Sequence, residues 1–150
     1  MSDLEIRRAT AEDVPAIVAL LADDVRGATR ESPDDPALYV AAFERVAADP
    51  QQHLMVAVRD GRTIATLQLS VIAGLSRRGT VRTVIEAVRV DSRERGNGLG
   101  TELIEWAVAE SARLGASLVQ LTSDAGRTDA HRFYQRLGFT ASHLGFKREI

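Results

Sequence analysis

Leu4-Glu5-Ile6-Arg7-Arg8 alternates apolar and polar side chains with a period of two, the pattern of a half-buried strand. The period then lengthens. Thr10 with Asp13 three residues on has the form of a helix cap, and Val14, Ile17, Val18, Leu20 and Leu21 recur at helical spacing to about Asp24. Residues 26–36 are polar and proline-containing, a loop. Pro36 suits the first position of a second helix, with apolar positions Leu38, Val40, Phe43 and Val46, and Asp49-Pro50 ends it. Leu54-Met55-Val56-Ala57-Val58 is an apolar run of strand length, and Asp60-Gly61 predicts a tight hairpin into a return strand over Thr63–Val71.

The second half repeats a strand–helix alternation. A flexible basic loop, Gly74-Leu75-Ser76-Arg77-Arg78-Gly79, precedes Val81–Val90, whose β-branched content predicts a central strand. A glycine-rich turn (93–100) leads into a helix over 101–113 with Leu103, Ile104, Trp106, Ala107 and Leu114 on one side. A strand at Leu118–Leu121, a helix at 128–137 and a final strand region at 139–148 follow. A helix crossing between two strands demands that they run parallel, whereas the hairpin in the first half is antiparallel, so the sheet is expected to be mixed. At 150 residues the chain is expected to form one domain, residues 1–150.

Composition narrows the function. With no cysteine, disulfides, zinc–thiolate sites and a cysteine nucleophile are excluded. A net charge of -2 offers no global attraction to nucleic acid or to an anionic membrane, so neither is an expected partner. Met1-Ser2-Asp3-Leu4-Glu5 lacks the basic and apolar regions of a signal peptide, and no apolar run reaches bilayer length, which points to the cytoplasm. Lys147 is the only lysine among 19 basic residues, so the arginines have to be weighed one at a time as clamps for phosphate or carboxylate.

Arg95-Gly96-Asn97-Gly98-Leu99-Gly100 joins a buried-looking strand to an amphipathic helix. Glycines let backbone approach a ligand closely, and amides at a helix N-terminus attract anions such as a pyrophosphate. The spacing is GxGxG, so it misses the GxGxxG of dinucleotide folds, and no lysine follows as a P-loop requires.

This turn resembles the R/Q-x-x-G-x-G/A signature of the GNAT N-acetyltransferases. Ala130-His131-Arg132-Phe133-Tyr134-Gln135-Arg136-Leu137-Gly138-Phe139 resembles the A-x-x-F-Y-x-x-x-G-F segment of the same family. The run from Arg127 to Tyr134, with Ser142-His143 and Phe146-Lys147, looks most like the aminoalkylphosphonate N-acetyltransferase branch; Arg127 stands where many members carry asparagine.

The resemblance implies an α/β (α+β) GNAT-like domain whose mixed, mostly antiparallel sheet has about six or seven strands flanked by about four helices. It implies acetyl-CoA as co-substrate and a small-molecule primary amine as acceptor; a homodimer is a candidate assembly. The backbone of Val88 and Val90, with Arg89 between them, would pair with the pantetheine arm. The amides of Arg95, Gly96, Asn97, Gly98, Leu99, Gly100 and Thr101 would hold the pyrophosphate.

Acetyl transfer from a thioester to an amine needs two proton movements. An alkylammonium with a pKa near 10.4 costs about 4–5 kcal/mol to deprotonate at pH 7, and the departing thiolate has to gain a proton. Glu86, mid-strand among Val84, Ile85 and Val88, resembles the glutamate that takes the amine proton in some GNAT members; a salt-bridged structural glutamate is the plain alternative. Tyr134 resembles the general acid, its phenol uphill of a thiolate by only about 2 kcal/mol. Arg26, Arg30, Arg77 and Arg78 lie in the two loops that border the acceptor side in the family and are candidates for an anionic amine. His131 and His143 are expected as satisfied polar helpers or surface groups, and His53, which opens a strand, carries no signal. An acyl-CoA-binding regulatory module would have no need of Tyr134 or Glu86, and a protein N-acetyltransferase would favour an acidic groove over these basic loops.

Overall fold

The computed structural model describes residues 3–150; Met1 and Ser2, part of the stretch judged above to lack a signal peptide, lie outside the described residues. Five strands pair in chain order: β1 (Glu5–Arg8), β2 (Gln52–Arg59), β3 (Arg62–Ala73), β4 (Val81–Val90) and β5 (Leu118–Leu121). The first three pairings are antiparallel and β4–β5 is parallel, so the sheet is mixed as expected. Four helices of nine residues or more, α1 (Val14–Ala22), α3 (Pro36–Ala48), α5 (Leu99–Arg113) and α6 (Thr128–Arg136), match those read from periodicity. Two four-residue turns, α2 (Gly27–Arg30) and α4 (Ser76–Gly79), interrupt the stretches read as loop.

The strand expected at 139–148 does not form, and it accounts for the shortfall from six or seven strands. The segment has strand-like patterning but finds no ladder partner in its own chain, and every residue from Thr140 on is exposed.

Asp60 and Gly61 both adopt positive φ (53° and 72°), the primed-turn geometry whose twist matches an antiparallel pair, and this makes β2 and β3 adjacent. Together they form the sheet's centre: Val56, Ala57, Ala65, Leu67 and Leu69 are fully buried. One face meets α5 through Leu99, Leu103, Ile104 and Ala107, and the other meets α1 and α3 through Ile17 and Phe43. Thr83 Oγ1 and Ser111 Oγ, both fully buried, are 2.7 Å apart, and Ser111 also donates to the Ala107 carbonyl. These bonds satisfy two hydroxyls that would otherwise be stranded in the core, and they set α5 squarely on β4.

Candidate active site

The register of β4 sets up the site. Before Glu86 its odd residues face α5: Thr83 and Ile85 are buried there, and Ile85 pairs with Leu69. The ladder then slips, since Gln68 pairs with Glu86 but Thr66 with Arg89, so β4 carries one extra residue opposite Leu67. Ala87 takes φ of 53°, a left-handed conformation that costs a residue with a Cβ about 1–2 kcal/mol. Across this bulge the parity flips. Val90 turns to the α5 face beside Ala65, while Glu86 and Arg89 both join the opposite face with Arg82 and Val84.

A second irregularity opens the strand's other edge. β5 pairs with β4 only from Arg82↔Leu118 to Ile85↔Leu121, so the five residues Glu86–Val90 have no strand beside them on that side. They form a strand edge about 16 Å long at strand rise with no neighbouring strand, on which the Val88 and Val90 carbonyls accept only from the side chains of Arg89 and Arg95. At its end the chain makes a short turn in which Asp91 accepts from the Arg93 amide and guanidinium, and that pairing pulls its carboxyl down to about 2. Glu94 accepts from Arg59 and Arg62 and so ties the turn to the β2–β3 hairpin.

Gly96 (φ 85°) and Gly98 (φ 79°) then carry the backbone into α5, with Gly98 as its N-cap. A Cβ added at either glycine would meet nothing within 4 Å, so the space over the turn is open. Leu99 is buried and anchors the first turn, while Asn97 and Thr101 are exposed. Gly100 lies against the Phe133 ring, with an added Cβ 3.5 Å from its Cζ, and this brings α6 over the start of α5.

Tyr134 follows Phe133 and packs edge-on against Phe133 (5.1 Å between centroids) and Phe139 (5.9 Å). Its hydroxyl has no hydrogen-bond partner among the described residues. Burial pushes the phenol above its usual pKa, opposed by the charges of Arg127 and Arg89, and Tyr134 packs on the same core cluster as Val88 and Val90 of β4.

A family model, the acetyltransferase (GNAT) family, matches residues 15–139. The chain belongs to the GNAT acetyltransferases. It is 30% identical over 146 residues, 97% of this chain and 91% of the relative, to an aminoalkylphosphonate N-acetyltransferase of Salmonella typhimurium. A structure described as a transcriptional regulator from Bacillus halodurans superposes with a TM-score of 0.94 at 40% identity, covering 99% of this chain and all of that one. An aminoglycoside N-acetyltransferase in complex with CoA has the same fold, with a TM-score of 0.81 at 18% identity over 99% of this chain and 96% of that one.

In this GNAT chain the expected residues are not equally free. Glu86 is exposed and, among the described residues, enters no ion pair. Val88 and Val90 lie along the open edge of β4. Arg89 turns its guanidinium to Asp24 (3.2 Å), whose carboxyl is held below its usual pKa chiefly by the Gly27 amide. Arg95 reaches back to the Val90 carbonyl (3.3 Å).

Of the four acceptor-loop arginines, Arg26 is paired with Asp124, bridging the α1–α2 connection to the β5–α6 loop, and Arg30 has Glu31 at 3.7 Å. Arg77 and Arg78 are exposed and left-handed (φ 54° and 62°). His131 Nε2 bonds the Asp124 carbonyl, His143 Nδ1 bonds Ser142 Oγ, and His53 Nδ1 accepts from Arg8; all three are engaged within the protein.

Two features escaped the sequence. The Ala87 bulge has no signal, because alanine is not a residue that marks a left-handed position. Arg82 is the second: it shares the sheet face of Glu86, and its Nε is buried with no partner among the described residues. An unsatisfied buried guanidinium nitrogen is costly unless an acceptor arrives. Only the register reveals that Arg82 points toward the face where Glu86 lies.

Proposed function

We propose that this chain, as one catalytic domain over residues 1–150, transfers acetyl from acetyl-CoA directly to the primary amine of a small anionic molecule. The observation that carries the reading is the splay of β4 from β5, which leaves Glu86–Val90 without a neighbouring strand just ahead of the glycine-capped N-terminus of α5. An open strand edge suits an amide-bearing arm such as pantetheine, and amides at the start of α5 suit its pyrophosphate. The space over Gly96 and Gly98 is consistent with that fit.

The reaction needs no acyl-enzyme. Glu86, through water, accepts the ammonium proton as the amine nitrogen bonds to the thioester carbon. The carbonyl oxygen becomes an oxyanion, for which the unpaired backbone at the Ala87–Val88 bulge supplies a donor. As the C–S bond breaks, the sulfur takes the Tyr134 proton. Burial keeps that phenol protonated through the physiological range, which suits a donor.

The anionic acceptor is supported by Arg82, whose orphaned Nε offers a fork for phosphonate or carboxylate, with Arg77 and Arg78 at the rim. Arg26 and Arg30, already facing carboxylates, contribute less. The aminoalkylphosphonate activity named for the Salmonella relative is in keeping with this choice. We further propose a cytoplasmic homodimer; among the described residues no helix is long and apolar enough to cross a membrane.

The regulator description of the Bacillus structure favours one rival, an acyl-CoA-binding module that senses without catalysing. A CoA-release assay separates the two. Acetyl-CoA with a panel of aminophosphonates, amino acids, polyamines and peptides should give turnover with small anionic amines. Binding of acetyl-CoA without turnover on any of them would establish the rival.

A further inference from the structure

Glu86 has a cross-strand neighbour that takes no part in the proton transfers of the reaction. In the β3–β4 ladder Gln68 stands directly opposite Glu86, at the last paired position before the Ala87 bulge. Residues so placed carry their Cβ atoms on one face of the sheet, about 4.5–5.5 Å apart. The Gln68 carboxamide is held in one orientation. Its Nε2 donates to Gln52 Oε1 on β2 (2.8 Å), and the buried Ser70 hydroxyl donates to the same oxygen (2.7 Å). A carboxamide carries its oxygen on the other side of Cδ from its nitrogen, so with the nitrogen turned to β2 the oxygen is turned toward β4. Gln68 is half-buried, and its Oε1 reaches the surface with no hydrogen-bond partner among the described residues. Arg82 lies two same-face positions from Glu86 along β4.

We infer that Gln68 is a specificity-determining residue of the acceptor site: its Oε1, beside the Glu86 carboxylate, takes one hydrogen of the incoming ammonium and so selects primary amines. This rests on the acetyl-transfer reading above and adds the group that fixes its acceptor class. A primary ammonium has three N–H bonds. One proton leaves to Glu86 through water, and the freed lone pair bonds to the thioester carbon. A second leaves as the tetrahedral adduct collapses: the C–S electron pair goes to sulfur, sulfur takes the Tyr134 proton, and the nitrogen's proton restores the phenol through water. The third hydrogen stays on nitrogen as the N–H of the product amide. Gln68 Oε1 holds that third hydrogen from ammonium to product, a task for an acceptor that never has to titrate. An N-methyl amine carries carbon in the same place. It leaves Oε1 without its hydrogen bond and sets a methyl group against it.

The readout is the ratio of kcat/KM for a primary amine to that for its N-methyl analogue. It is measured on 2-aminoethylphosphonate and on every other primary amine that the CoA-release panel turns over, with the full chain as wild type, Gln68→Leu and Gln68→Glu. Gln68→Leu removes the oxygen and should lower the ratio at least about tenfold. Its KM for acetyl-CoA should stay as in the wild type, because β3 does not border the gap between β4 and β5. Gln68→Glu keeps an acceptor oxygen at the same reach and should hold the ratio within about threefold of the wild type. Any change in the basicity of Glu86 acts on both amines and cancels in the ratio. Circular dichroism and the acetyl-CoA-induced rise in Tm, taken on the same samples, report the fold and cofactor binding separately. A ratio unaltered by Gln68→Leu would overturn the assignment. Equal loss in both variants would overturn it too, by tracing the preference to the hydrogen bond with Gln52. A wild type that turns over no primary amine would overturn the acetyl-transfer reading and the role of Gln68 with it.

Discussion

Gly98 caps α5 with φ of 79°, in a region where a Cβ is strained, and a Cβ there would meet nothing within 4 Å. Gly98→Ala therefore has two separable consequences. The backbone term is about 1–2 kcal/mol of stability. For a chain of 150 residues that lowers Tm by about 2–8 °C. The ligand term arises because the methyl group intrudes where a pyrophosphate would approach. Losing one hydrogen bond to a charged phosphate, about 2 kcal/mol, raises Kd about 30-fold. At acetyl-CoA equal to 100 times the wild-type Kd, the ligand contributes about 2.7 kcal/mol to the wild type and about 0.9 kcal/mol to the variant.

Gly115 provides the control. It ends α5 with φ of 91°, again with no atom within 4 Å of an added Cβ, and it lies at the far end of the helix from the turn. Gly115→Ala should lower the unliganded Tm by a similar amount yet keep the full rise with acetyl-CoA. Thermal shift titrations of wild type and both variants decide the matter. Equal acetyl-CoA responses in the two variants would remove the ligand from the turn.

Three further outcomes are expected. Tyr134→Phe keeps the ring stacking and should lower kcat by about 10²–10⁴-fold with little change in KM for acetyl-CoA, whereas the loss in Glu86→Gln should be partly recovered at high pH, where the amine deprotonates unaided; steady-state pH profiles of both variants check this, and wild-type turnover by the phenylalanine variant would reduce Tyr134 to a packing residue. Arg82→Met should raise KM for an aminophosphonate by at least about tenfold while sparing a neutral amine, and equal effects on the two would take Arg82 out of the acceptor pocket. The Asp13 carboxylate, held at about 2 chiefly by its bonds from Arg7 (2.7 and 3.0 Å), has a pKa below its unfolded value, so its stabilisation is present above pH 4 and fades as pH falls toward 2; urea titrations of wild type and Asp13→Asn should differ by about 1–2 kcal/mol at pH 7 and converge at pH 2.

Local chemistry by itself determined most of the elements. Helix and strand periods are properties of short windows, so α1, α3, α5, α6 and the Asp60-Gly61 hairpin were legible from spacing and turn residues alone. The glycine turn and the Ala130–Phe139 segment were legible through their resemblance to the GNAT motifs, but not the packing of one on the other, Gly100 against Phe133. Tertiary structure decided the rest. Whether Glu86 and Arg89 share a face depends on a bulge at Ala87 that arises from pairing with β3, and an odd spacing of three would otherwise put them on opposite sides. The orphaned Nε of Arg82 likewise emerges only once Ile72 and Leu118 flank it in the sheet. Residues 139–148 mark the boundary between the two: their alternation makes a strand possible, but a strand exists only when another edge completes its hydrogen bonds, and within one chain that edge stays empty.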